Sequence, residues 1–96
     1  MEEISELRKR GKALSPSIRI GQNGLSEANI IEIKKQLKHK KLIKIKFLKN
    51  FTEDHDKKAA VMELVEKTDS VLIDFIGFVV VIAAKDTVFG KNSFKN

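Results

Sequence analysis

Apolar positions recur along this chain with two periods, and the period switches where glycine, proline and small polar residues fall. Over residues 3–13, Ile4 and Leu7 stand three apart, which predicts a short helix. Arg8, Lys9, Arg10 and Lys12 crowd its C-terminal half, where cations complement the helix dipole. Gly11 is expected to weaken or end this helix, and Ser15-Pro16 stops it, because proline cannot continue a helix and its predecessor avoids helical backbone. A short strand is predicted over 17–20 and a turn over 21–24. Ser26 then suits the N-cap of a helix reaching about Lys40, with Ile30, Ile33 and Leu37 along one face.

From Leu42 to Leu48 the period falls to two. Ile43, Ile45 and Phe47 alternate with Lys44 and Lys46, which predicts a half-buried strand with its lysine face open to solvent. A polar stretch over 50–56 leads into a third helix, with Thr52 or Asp54 as its cap. Ala60, Val61, Leu64, Val65 and Thr68 form the buried face of that helix, and Asp69-Ser70 ends it. Two β-branched runs follow, 71–76 and 78–83, with Gly77 between them as a tight reversal or bulge. The second run is apolar throughout, as in a central strand covered on both faces.

The order α-β-α-β-α-β-β predicts an α/β fold. We expect a single domain whose four-stranded mixed sheet is packed by three helices, in two or three layers, with right-handed crossovers. The pattern leaves the strand order open. The domain is expected over residues 1–84, followed by a polar, basic and partly loose tail over 85–96.

Charge narrows the class of partner. Nineteen Lys and Arg oppose thirteen Asp and Glu in 96 residues, a formal net charge of +6. Such a surface attracts polyanions, nucleic acid first and anionic membrane second. No apolar run is long enough to span a bilayer, and the N-terminus lacks the apolar core of a secretory signal. A soluble, cytoplasmic protein without a membrane partner is the expectation. With no cysteine there is neither disulfide nor thiolate metal site. His39 and His55 stand in polar segments without companion ligands, so no metal is expected. Glu53, Asp54 and Asp56 read as helix-capping acids rather than a hydrolytic cluster. With no nucleotide or nucleophile motif either, no enzymatic activity, cofactor or small-molecule substrate is expected.

Gly21-Gln22-Asn23-Gly24 carries the candidate chemistry. Glycine and asparagine serve any strand-to-helix turn. They also stand before a helix whose first amides lack internal partners, where an anion can bind and where a missing Cβ lets a phosphate backbone approach. Arg19 precedes the loop. Lys34, Lys35 and Lys38 make a basic flank beside the buried stripe of the following helix, and Lys44, Lys46 and Arg8 add charge. A Gly-x-x-Gly loop gripping a nucleic-acid backbone is the device of the KH module.

The stretch LRKRGKALSPSIRIGQNGLSEANIIEIKKQLKHKKLIKIKF, residues 7–47, closely resembles the CRM domain (chloroplast RNA splicing and ribosome maturation) in its stand-alone YhbY-like form. Arg8, Leu14, Pro16, Ile20, Gly21, Gly24, Leu25, Glu32, Ile33, Leu42, Ile43, Lys44 and Lys46 fall on the family pattern, and VLIDFIGFVVVI looks like its closing strand pair. The resemblance covers residues 4–84. It implies an RNA-binding module, similar in fold to the C-terminal domain of the third translation initiation factor, that associates with large-subunit ribosomal precursor RNA. It places Gly21, Gln22, Asn23 and Gly24 in the contact loop. The chain departs from the pattern at Ala83-Ala84, where many relatives carry an aromatic and an arginine, and at Gln22, which puts no lysine charge in the loop. Two other readings of a basic α/β protein stay open at this point: a chromatin-type DNA binder and a scaffold docking an acidic protein.

Overall fold

The computed structural model describes residues 3–90. Its helices are α1 (Ile4–Ala13), α2 (Glu27–Lys40), α3 (Lys49–Asp54), α4 (Lys57–Thr68) and α5 (Lys85–Phe89), and its strands are β1 (Ile18–Ile20), β2 (Leu42–Phe47), β3 (Ser70–Ile76) and β4 (Val79–Ala84). One mixed sheet runs in the order β1-β2-β4-β3. β1 lies parallel to β2 across the α2 crossover, while β4 is antiparallel to both of its neighbours.

Three layers follow from the alternation of the strands. Ile43, Ile45 and Phe47 of β2 join Val80 and Ile82 of β4, Ile18 and Ile20 of β1, and the inner faces of α2 and α4 in the larger core. Leu42, Val81 and Ala83 point the other way and meet Leu7 of α1 and Ile73, with Val88 of α5 alongside. β4 therefore sits between two layers, as its unbroken apolar run requires. Each fully buried large side chain, such as Phe47 or Leu7, contributes roughly 1.5–3 kcal/mol.

Four expectations change. Gly11 does not end α1, which continues to Ala13. It is buried inside the helix, and a Cβ there would stand 2.9 Å from Val81 Cγ1, so its lack of a side chain lets α1 lie directly on β4. The polar stretch after β2 contains a short extra helix, α3, held by the buried ring of Phe51. The cap of α4 is Asp56, whose carboxylate accepts from the Lys58 amide, rather than Thr52 or Asp54; the Thr52 hydroxyl instead donates to the Lys49 carbonyl. The expected tail begins as α5, whose Val88 packs on the smaller core. With α3 and α5 the described residues form five helices rather than three. The remainder of the expected tail, residues 91–96, lies outside the described residues. No helix among the described residues is long and apolar enough to cross a membrane.

Candidate nucleic-acid interface

β1, β2 and the β3–β4 hairpin all bring their ends to one rim of the sheet, and the glycine loop stands there. Its position is fixed from both sides. The Leu48 amide donates to the Ile20 carbonyl, holding the exits of β1 and β2 together, and the Gly24 amide closes a turn on the Gly21 carbonyl at 2.9 Å. Gly24 is buried at φ +74°, in the left-handed region where a side chain is strained. The two glycines are therefore unequal. A Cβ on Gly21 would meet its nearest atom, Asn50 Oδ1, at an ordinary 3.5 Å, whereas one on Gly24 would press against His55 Cε1 at 3.2 Å. Gln22 and Asn23, between them, are exposed.

His55 is the residue that sequence reasoning missed. It is a surface side chain, as expected, but its Nε2 lies 3.1 Å from the Gln22 carbonyl. A carbonyl only accepts, so Nε2 carries the proton in this bond. The imidazole stacks on Phe51 at 4.7 Å and 16°, and Phe51 packs on Phe47 at 4.8 Å. A column of three rings thus runs from the core to the loop. Two residues further on, Lys57 Nζ donates to the Gly77 carbonyl at 2.6 Å and stands 4.3 Å over the Phe78 ring. The connector between α3 and α4 ties the loop and the hairpin into one rim. The spacing of Phe47, Phe51 and His55 at four-residue intervals was the available signal, hidden because the segment looked like a polar loop.

The mouth of α2 differs from the open set of amides expected. Ser26 Oγ accepts from the Asn29 amide, and the Ser26 amide donates to Asn29 Oδ1, so a reciprocal capping box occupies two donors. Glu27 adds an acid to the first turn. The helix entrance is exposed but partly self-satisfied.

The predicted cations separate onto two faces. Arg19 and Lys46 are in register on the parallel pair β1–β2 and both are exposed. Lys44 lies two residues before Lys46 on the same face and is half-buried, with its Nζ reaching the Lys12 carbonyl at 3.5 Å. The lysine face of β2 is thus open at Lys46 and partly covered at Lys44 by the C-terminal end of α1. Arg8 is exposed and its Nε donates to the Ile73 carbonyl at 3.1 Å, which anchors α1 to β3. Lys34, Lys35 and Lys38 are exposed on α2, in the opposite layer. Lys34 and Lys38 line a cleft with Asp69 and Asp86, near the ion pairs Lys41–Asp86 (3.0 Å) and Lys85–Asp69. Among the described residues no group of three or more metal-ligating side chains comes together.

Comparison with known proteins adds a family and two relatives. The profile of the CRS1/YhbY (CRM) domain matches residues 1–83. A Pseudomonas aeruginosa protein described as a probable RNA-binding protein is 29% identical over 91 residues, covering 95% of this chain and 86% of its own. The solution structure of the hypothetical protein SAV1595 from Staphylococcus aureus, described as a candidate RNA-binding protein, superposes with a TM-score of 0.71 at 30% identity. That match covers 85% of this chain and 83% of the other.

Proposed function

This chain belongs to the CRS1/YhbY (CRM) domain family, and from that premise we propose that it is a non-enzymatic RNA-binding protein whose contact surface is the rim that carries the glycine loop. The observation that carries the proposal is the Arg19–Lys46 pair. Like charges in cross-strand register are destabilising. Among the described residues no acid pairs with either. A polyanion laid over the rim supplies the missing counter-charge. The description of two relatives as RNA-binding proteins supports RNA as that polyanion.

In this reading Gln22 and Asn23, presented between Gly21 and Gly24, hold one phosphate, and Arg19, Lys46 and Lys44 receive its neighbours. Arg8 fixes the helix beside them. Lys34, Lys35 and Lys38 extend the field along α2 and steer the approach of the strand. Contacts of this kind set register and affinity without reading sequence, so structured RNA is held chiefly by its backbone. The RNA we assign is large-subunit ribosomal precursor, bound during assembly in the cytoplasm.

Competition at fixed salt between a labelled RNA hairpin and duplex DNA of the same sequence tests the reading. RNA should win. Preference for the duplex DNA would turn the protein into a chromatin-type binder. Co-sedimentation with ribosomal particles that survives nuclease treatment would point instead to an acidic protein partner.

A further inference from the structure

We propose that the cleft between the glycine loop and α4 receives one unpaired nucleobase and favours a base that presents an amino group. The proposal rests on the RNA-binding reading above and adds a base preference to a contact otherwise made with the backbone.

The cleft measures about 300 Å³, at the small end of the range for ligand pockets. Its apolar floor is Leu25 and the buried Phe51, with Ala59 and Ala60 of α4 beside them. Its polar groups are Asn23, His55, Asp56 and Glu63. The His55 ring is held on two sides, by the stack on Phe51 and by the bond to the Gln22 carbonyl, so this wall of the cleft does not need ordering on binding. Gly24 lets the loop lie close against the imidazole at the edge of the cleft, since a Cβ there would crowd the ring.

Charge selects what can enter. Asp56 and Glu63 repel a phosphate, so the sugar–phosphate strand stays outside, on the side of Gln22 and Asn23. A base carries no charge and can swing in from a nucleotide held there, because Asn23 and Gly24 belong to both the loop and the cleft. The carboxylates only accept hydrogen bonds. Asp56 spends Oδ1 on the Lys58 amide, and Glu63 spends Oε2 on Lys67 at 2.9 Å, which leaves each with a second oxygen. The hydrogen bond from Lys67 to Glu63 raises the Lys67 pKa above its ordinary value and keeps that pair charged. Two acceptors over an apolar floor suit the 4-amino group of cytosine and oppose the 4-carbonyl of uracil.

Cytosine and uracil differ at that position while stacking similarly, so they make the cleanest probe. Fluorescence anisotropy of labelled rC10 and rU10 with the full chain at fixed salt should give rC10 about a five- to tenfold advantage. Glu63→Gln, at an exposed position where folding is preserved, should shrink that advantage to less than about twofold, because an amide also donates. Equal affinity of the wild type for rC10 and rU10 overturns the cleft and leaves the RNA-binding reading standing. A cytosine preference untouched by Glu63→Gln also overturns it. Failure of both decamers and of an RNA hairpin to bind at low salt removes the RNA-binding reading itself, and the cleft with it.

Discussion

The two ends of this molecule both carry cations and treat them differently. At the glycine-loop rim, Arg19 and Lys46 stand side by side on adjacent strands, and among the described residues no acid is paired with either. At the far end of α2, Lys34 and Lys38 share their cleft with Asp69 and Asp86, and the neighbouring Lys41 and Lys85 are already in ion pairs. A basic run in the sequence is therefore not one basic surface. Where acids are interleaved, part of the lysine charge is neutralised within the protein. Where like charges are left in register the fold carries their repulsion, and in the proposed reading a polyanion relieves it.

The sharpest way to break this contrast is at Gly24. Gly24→Asp puts a side chain at φ +74°, drives its Cβ toward His55, and adds a negative charge beside the proposed phosphate. RNA affinity should fall by a factor of about ten or more, and folding stability by about 1–2 kcal/mol from the backbone strain. Gly21→Ala, with its Cβ at ordinary contact distance, should change stability by less than about 0.5 kcal/mol. Anisotropy and thermal unfolding of the two variants check both statements. Equal damage from both would mean that the loop works through its flexibility rather than through the placement of Gly24 on His55.

Gly11 tests the boundary between the covered and the open halves of the sheet. Gly11→Leu overpacks α1 against Val81 and should cost about 1–3 kcal/mol in thermal unfolding. RNA affinity measured well below the transition should fall by a smaller factor than for Gly24→Asp, because the rim is built by β1, β2 and α3. A loss as large as that of Gly24→Asp would move the interface onto α1.

How far the sequence was legible follows from which contacts are local. The alternation in LIKIKF and the apolar run of β4 gave the sheet and its central strand, because a strand's two faces are written in adjacent residues. Ser26 gave the start of α2 for the same reason. The order β1-β2-β4-β3 was out of reach, since nothing within a strand names its neighbour. Gly11 was misread because the atom that requires a glycine, Val81 Cγ1, is seventy residues away. α3 was hidden because its six residues bury only Phe51, too few for a helical period to show. His55 was read as surface and is surface, yet its bond to Gln22 depends on a stack that exists only once α3 has formed. A helical wheel placed Lys34, Lys35 and Lys38 on one flank but could not show that Asp69 and Asp86 face two of them.

The smallest expected effects bear on the contrast most directly. Arg19→Ala with Lys46→Ala should weaken RNA binding several-fold and lower the slope of log affinity against log salt by about 0.7–0.9 for each phosphate no longer neutralised. Lys34→Ala with Lys38→Ala removes the same formal charge. The resulting loss of affinity should be less than half as large on a logarithmic scale, with a smaller change in slope, because nearby acids partly offset that field and the lysines stand in the opposite layer from Arg19 and Lys46. The two double variants have equal net charge, so a general loss of attraction cancels between them. Equal slopes in a salt titration would show that the strand wraps both faces, and that the acids around Lys34 and Lys38 leave them as open to RNA as the rim.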